Sequence, residues 1–563
     1  MIARNTMLKK YCTTLLLTAV FAATQVYADA TKAAIASAHP LATAAGFEIL
    51  ASGGNVFDAA VAVSATLAVV EPSGSGLGGG GYWLLHREAD GFETMIDGRE
   101  KAPLAAHHAM YLDKTDTVIP RLSLDGALAA AIPGLPAGLA HLSEKYGRLP
   151  LADSLQPAIR AAKNGFAIGE KYRKLLKFRA EQIKKHPPTA QIFLADGEIP
   201  KAYAILRQTD LANTLEHLAD SGKNGFYTGK IADKLVSGVN KAGGIWTKQD
   251  LADYRIVERT PVTGHYRGIN ITSAAPSSSG GIVLIQALNI LSGYDLTQAD
   301  ELTRKHLIVE AMRRAYHDRS LYLGDPDFVD IPVRRLLNED YAAGLRSSLR
   351  LDKALPSEQL AGQNQPQPEG VNTTHFSIID EQGNRVAATL SINFPFGAGL
   401  VAAGTGVLLN NEMDDFASLP GAMNGYGLVG GVANAIAPGK RMLSSMTPTF
   451  LDDGTHVAVL GTPGGSRIIS MVLLAALDFA QGNAPDSWVK VPRFHHQFMP
   501  DVVEYEHDAV SSDELSGLAA MGHQLKPARY SYGDMQAVQW HKTTHQLTAA
   551  SDRRGEGQAL VSR

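Results

Sequence analysis

The sequence predicts a layered α+β protein. Three features carry this reading: helical patterning at residues 41–70 and, for the most part, over 122–349, a Pro/Gln/Gly/Asn-rich stretch at 353–372, and two-residue alternation beyond it. A chain of 563 residues exceeds the roughly 250–300 at which one hydrophobic core stops growing, so two lobes or one large layered unit are expected. Charged residues are 19% of the chain and the net charge is −4, with no basic run and no basic stripe interleaved with aromatics. That composition gives no footing for nucleic acid as a partner.

At the N-terminus, Lys9 and Lys10 precede an apolar stretch, residues 13–24, that is too short to span a bilayer comfortably. Val26-Tyr27-Ala28 then offers small residues for cleavage, so residues 1–28 read as a signal peptide, with a membrane anchor as the alternative. The single cysteine, Cys12, falls inside this segment. The exported chain therefore has no thiol, disulfide or Cys-ligated metal, which fits a periplasmic or secreted location.

Residues 41–52 and 55–70 read as two buried helices separated by Gly53-Gly54; the second is apolar all round, as an interior helix should be. "SGSGLGGGGYWLLHRE", from Ser73, leads into a hairpin that returns at "MIDGREKAP". From Leu122 to Leu349 the pattern is mostly helical. Residues 353–372 have almost nothing to bury and read as an exposed tether, the one obvious internal seam. After it, Phe376 to Ile379 and Arg385 to Ile392 form a hairpin about Gln382-Gly383-Asn384. "GVLLNN", "PTFLDD" and "HVAVLGTPGG" read as further strands, and residues 468–480 as a helix.

Several motifs fail on context. Gly74-x-Gly76-x-x-Gly79 spells a dinucleotide fingerprint, but a helix precedes it and a strand follows, the reverse of what that fold requires. Close backbone approach to something buried is the better reading. His495-His496 would point to opposite faces of a strand and has no third ligand in view. Ser487-x-x-Lys490 lacks the Lys-Thr-Gly partner of acyl-serine enzymes.

Thr373 is different. A threonine hydroxyl is a feeble nucleophile without a base beside it, and one base is always in reach if the preceding peptide bond is cut: the residue's own α-amine. With a pKa of roughly 7.7–8.0, that amine is partly neutral near physiological pH. The tether runs straight into Thr373-Thr374-His375, so cleavage between Asn372 and Thr373 would open the site. The Thr373 hydroxyl can make the cut itself, through an ester that water then hydrolyses.

With "EPSGSGLGGGGYW", "IDGREKAP", "PSSSGGI", "YLGDPDFV", "TTHFSIIDEQGNRVAATLSIN", "LLNNEMDDF", "YGLVGG", "KRMLSSMTPT" and "GTPGGSRII" in this order, the chain closely resembles the bacterial exported γ-glutamyltransferases, also called γ-glutamyltranspeptidases or glutathione hydrolases. The resemblance covers essentially the whole mature chain. It implies an N-terminal-nucleophile hydrolase with an αββα sandwich, made as a precursor that cuts itself into a large subunit, residues 29–372, and a small subunit, residues 373–563, which stay together.

It also implies roles. Thr373 matches the nucleophile. Ser391 stands where the family usually has a supporting Thr. Asn393, Glu412 and Asp415 match positions that hold the substrate's α-amino group, a task for which carboxylates suit an ammonium; many bacterial members carry Gln at the position of Glu412. Arg99 matches the planar fork for the α-carboxylate, shared with Ser444 and Ser445. Gly464 and Gly465 match the oxyanion-hole donors. Tyr426, within residues 420–431, corresponds to a lid. The reaction implied is transfer or hydrolysis of a γ-glutamyl group with no metal or organic cofactor, the acceptor being water, an amino acid or a peptide. Rival readings are a cephalosporin or glutaryl acylase of the same fold, a dinucleotide-dependent oxidoreductase at Gly74–Gly79, and a non-catalytic γ-glutamyl binder that never matures.

Overall fold

The structure, a computed structural model, describes residues 31–360 and 373–562. The expected signal peptide, the tether from 361 onward and Asn372 lie outside the described residues.

Strand β1 (Ala33–Ser37) opens the chain, followed by α1 (Pro40–Ala51) and α2 (Val56–Val70). Asn55 caps α2 by accepting from the N–H groups of Phe57 and Asp58, while the Asp58 carboxylate accepts from Asn55 N–H. Every residue of α2 is buried, as its unbroken apolar composition demands. Strands β2 (Gly80–Arg87) and β3 (Phe92–Gly98) form the expected hairpin.

Between residues 122 and 349 the reading needs correction, because β4 (Val257–Arg259), β5 (Val262–Tyr266) and β6 (Ile269–Ser273) interrupt the helices. These strands are only three to five residues long, so their alternation is brief beside the long helices that follow, α3 (Gly280–Leu291) and α4 (Glu301–Tyr322). After the tether come β7 (Thr374–Asp380), β8 (Arg385–Ser391), β9 (Thr449–Asp452), β10 (His456–Gly461), α5 (Ile468–Phe479), β11 (Gln536–His541), β12 (Leu547–Ser551) and β13 (Gln558–Val561). "GVLLNN" is not a strand. It makes single bridges, Val401 to Leu408 and Gly78 to Leu409, and its backbone is used to pack against the glycine run.

Two antiparallel sheets stack. One runs β13-β1-β7-β8-β2-β3-β4, the other β12-β11-β10-β9-β6-β5. In the first sheet the side-chain period of two splits each strand between two cores. Trp83, Leu85, Phe376, Ile378 and Val386 face the layer containing α1 and α2. Tyr82, Leu84, Ile379 and Ala387 face the second sheet, which is backed by α3, α4 and α5. The result is a helix–sheet–sheet–helix sandwich. The seam at 361–372 is not a boundary between lobes, since β7 and β8 lie between β1 and β2 in one sheet.

Candidate active site

Thr373 sits immediately before β7, at the end of the first sheet, and is buried. Of the two adjacent hydroxyls only that of Thr373 belongs to a residue lining the cleft there; Thr374 Oγ1 is buried with no partner. The glycine run explains how the chain closes around this point. A Cβ on Gly74 would stand 3.2 Å from the Thr373 carbonyl oxygen, one on Gly78 2.1 Å from Leu408 O, and one on Gly79 2.1 Å from Ser391 O. Helix α2 precedes the run and β2 follows it, so these glycines serve backbone packing rather than a pyrophosphate.

The cleft is lined by Thr373, Arg99, Ser391, Asn393, Glu412, Asp415, Ser444, Ser445 and Gly465, together with Tyr426, Leu428, Met446, Ser466 and Ile468. Ten of the eleven residues given roles from sequence, Tyr426 among them, thus meet in one place; Gly464 adjoins the cleft but does not line it. The apolar wall of Leu428, Met446 and Ile468 was not foreseen, because such residues look like any core position in a sequence.

Arg99 follows β3 and is 1% exposed. Its Nη1 donates to Glu412 Oε2 at 2.6 Å, its Nη2 donates to Asp415 Oδ2, and its Nε donates to Met442 O at 3.3 Å. Cation and carboxylates, matched from sequence to the α-carboxylate and the α-amino group of the substrate, are in direct contact. Burial pushes Glu412 up to about 7 against the pull of Arg99. Burial also raises Asp415, and it raises neighbouring Glu100 well above the carboxylate range. Three acids around one guanidinium cannot all stay charged without water, and the buried Glu412 Oε1 and Glu100 Oε1 have no partner.

Asn393 adopts φ 71°, a left-handed conformation that asparagine tolerates better than most residues. Its N–H donates to Ser391 Oγ at 2.7 Å and its Nδ2 to Asn411 O at 2.9 Å, which fixes the side chain. Tyr426 closes the cleft from above, its hydroxyl donating to Asn393 O at 3.1 Å and its ring tilted against Phe394. The loop carrying it is tied down by residues that sequence reasoning missed. Asp414 accepts from Gly425 N–H at 2.8 Å and from Ser123 Oγ at 2.7 Å, and Asn424 Nδ2 donates to Asp415 Oδ1 at 3.3 Å. The clue was present, in an acidic pair followed nine residues on by Asn424-Gly425, but nothing local says that they meet.

Gly464 and Gly465 lead into a short turn and then α5. Among the described residues neither glycine N–H has an acceptor, which leaves both available to a developing oxyanion. Gly465 has φ 58°, and a Cβ there would lie 2.4 Å from Tyr426 Cε1. Gly465→Ala is therefore expected to push Tyr426 away and twist the donor amide. A loss of about 10²-fold in kcat is expected, checked by steady-state turnover.

Elsewhere, His495 and His496 each have their own partners, Ser470 and Gln497 for the first and Asp501 for the second. His306, Glu310 and His523 come together, but Arg313 and Arg314 hold the Glu310 oxygens and His306 pairs with His523 at 2.8 Å. Two guanidiniums beside it make that cluster a hydrogen-bonded clamp rather than a cation site.

Comparison with known proteins agrees with the geometry. Among solved structures, a cephalosporin acylase from Bacillus halodurans superposes with a TM-score of 0.84 at 29% identity, over 94% of this chain and 96% of that one. Helicobacter pylori gamma-glutamyltranspeptidase matches with a TM-score of 0.56 at 42% identity, over 58% of this chain and 94% of that one. The glutathione hydrolase proenzyme of Pseudomonas sp. (strain A14) is 44% identical over 511 residues, 90% of this chain and 88% of the relative. That of Escherichia coli (strain K12) is 43% identical over 501 residues, 87% and 85%. The family model described as Gamma-glutamyltranspeptidase matches residues 42–562, and with relatives this similar across nearly nine-tenths of its length the chain belongs to the gamma-glutamyltranspeptidase family.

Proposed function

We propose that this chain is an exported, self-cleaving enzyme that hydrolyses glutathione and related γ-glutamyl amides and transfers their γ-glutamyl group to amino acids or peptides. The observation that carries the reading is the meeting of Thr373, the Arg99–Glu412–Asp415 cluster and Gly465 in one cleft. In its support, the relatives named above are glutathione hydrolase proenzymes.

Maturation begins with the Thr373 hydroxyl attacking the Asn372 carbonyl; the resulting ester is hydrolysed, and Thr373 gains a free α-amine. The subunits, residues 29–372 and 373–563, remain associated. In turnover the α-amine takes the proton from Thr373 Oγ as Oγ attacks the γ-glutamyl carbonyl. The tetrahedral oxyanion is met by the Gly464 and Gly465 N–H groups. The proton passes to the departing amine nitrogen, Cys-Gly in the case of glutathione, and a γ-glutamyl ester remains. Water or an acceptor amine then attacks the ester. Glu412, Asp415 and Asn393 receive the substrate ammonium, while Arg99, Ser444 and Ser445 receive its α-carboxylate. Among the described residues no helix is long and apolar enough to cross a membrane, in keeping with a periplasmic or secreted product.

N-terminal sequencing of purified protein tests this directly, since a second terminus reading Thr-Thr-His is expected. The similarity to a cephalosporin acylase favours one rival, which would take a glutaryl rather than a glutamyl group. A lone glutaryl chain carries no amine for Glu412 and Asp415. Faster turnover of glutaryl-p-nitroanilide than of γ-glutamyl-p-nitroanilide would decide for the rival.

The raised Glu412 sets a pH dependence. Between its ordinary value of 4.5 and about 7, the folded protein holds a proton that the unfolded chain has lost. This group's contribution to stability is thus full below pH 4.5 and lost as pH rises through about 7. Ligand binding runs the other way, because an ammonium needs the carboxylate. The inhibition constant of glutamate is expected to fall as pH rises through about 7, and Glu412→Gln to flatten that limb.

A further inference from the structure

The serine run Ser277–Ser279 lies directly behind the Ser444–Ser445 hydroxyls. Ser444 N–H donates to Ser277 O at 3.0 Å, and Ser444 O accepts from Ser279 N–H at 2.8 Å and from Ser279 Oγ at 2.7 Å. Ser278 Oγ donates to Met446 O at 2.6 Å. From α4, Arg319 reaches the same place: its Nε donates to Ser279 Oγ at 2.9 Å and its Nη2 to Ser445 Oγ at 3.2 Å.

Arg319 is electrically unusual. Every other buried arginine among the described residues has a carboxylate within 4.0 Å, Arg99, Arg313 and Arg493 among them, and Arg319 has none. Burial pulls its guanidinium down to about 10, so it stays charged at neutral pH. Arg99, by contrast, is already answered by both Glu412 and Asp415. A substrate carboxylate arriving at Arg99 alone would meet a cation flanked by two acids. With Arg319 included, the substrate ammonium can balance the acids while its carboxylate finds positive charge that no carboxylate contacts directly, Asp415 acting on Arg319 only from a distance.

The hydrogen-bond directions agree. Ser445 Oγ accepts from Arg319 and Ser444 Oγ accepts from Met446 N–H at 3.1 Å, so each hydroxyl keeps its own proton to donate. Two oriented O–H donors before a buried cation suit an anion and repel an ammonium.

We propose that Arg319, seated by Ser279, is a positioning residue that makes Ser445 a donor and supplies the positive charge by which the site selects γ-glutamyl donors bearing an α-carboxylate. This rests on the γ-glutamyl reading of the cleft. The test compares γ-glutamyl-p-nitroanilide with 4-aminobutyryl-p-nitroanilide, which has the same leaving group and ammonium but no α-carboxylate.

Wild type is expected to prefer the first. In Arg319→Met, KM for the γ-glutamyl donor should rise about tenfold, with kcat changed far less, while KM for the aminobutyryl donor stays put. Arg319→Lys, which keeps the charge but not the fork, should fall between; a KM no better than that of Arg319→Met would overturn the charge argument. A rise for both donors alike, or for neither, would overturn the proposal. Should Arg319→Met fail to fold and be cut, Ser279→Ala carries the test: reduced selectivity is expected, and wild-type selectivity would count decisively against it. If wild type itself does not distinguish the two donors, it is the γ-glutamyl reading that fails.

Discussion

Thr373→Ala is expected to give one uncut chain of full length with turnover reduced by at least about 10⁴-fold, the scale seen when a nucleophile is removed. Two losses combine here. The hydroxyl that would attack the Asn372 carbonyl is gone, and so is the one that would attack the substrate. A denaturing gel and an assay with γ-glutamyl-p-nitroanilide read the two separately. Two subunits from this variant would show that another group makes the cut. Thr374 cannot substitute by geometry, because it begins β7 and its hydroxyl does not line the cleft.

Asp415→Ala is expected to raise KM for γ-glutamyl-p-nitroanilide by about 10²-fold, in line with removing one partner of a buried charge pair. Asp415 is tied both to Arg99 and to Asn424 in the loop over the cleft, so its loss unsettles the cation and the cover together. The pattern across donors is the sharper readout. Both ammonium-bearing donors should suffer more than glutaryl-p-nitroanilide, whereas Arg319→Met should penalise the two carboxylate-bearing donors, γ-glutamyl and glutaryl, and spare the aminobutyryl one. An unchanged KM in Asp415→Ala would remove this residue from the ammonium site.

Much of the site was legible because its chemistry is written in short, type-specific stretches: a hydroxyl after a tether, a glycine pair before a helix, an acidic cluster, a serine pair. What the sequence hid is what depends on long-range meeting. Asp414 pairs with Ser123 across 291 residues, and Arg319 lies on a helix whose buried charges look from sequence like a solvated face. The strands at 257–273 were obscured for a different reason. Their alternation is carried by residues such as Thr263, His265 and Asn270, which are exposed on one side and weakly apolar on the other. "GVLLNN" misled in the opposite sense: Leu408 and Leu409 are apolar, but the backbone of the run is spent on scattered partners, Leu409 N–H on Leu400 O, Asn410 N–H on Gly78 O and Asn411 N–H on Ile392 O, rather than on a ladder. The direct contact of Arg99 with Glu412 and Asp415 could not be read either, since a motif names a residue's type and not its resting partner.

The order β13-β1-β7-β8-β2-β3-β4 has a consequence for how the molecule can be made and unmade. A backbone break between residues 360 and 373 leaves each fragment holding strands whose neighbours belong to the other, interdigitated like clasped fingers. Neither piece has a finished sheet of its own, and each would expose bare ladder edges in isolation. Synthesis as a single polypeptide is thus the route by which the two are threaded together, and parting them again means unravelling the layer they share.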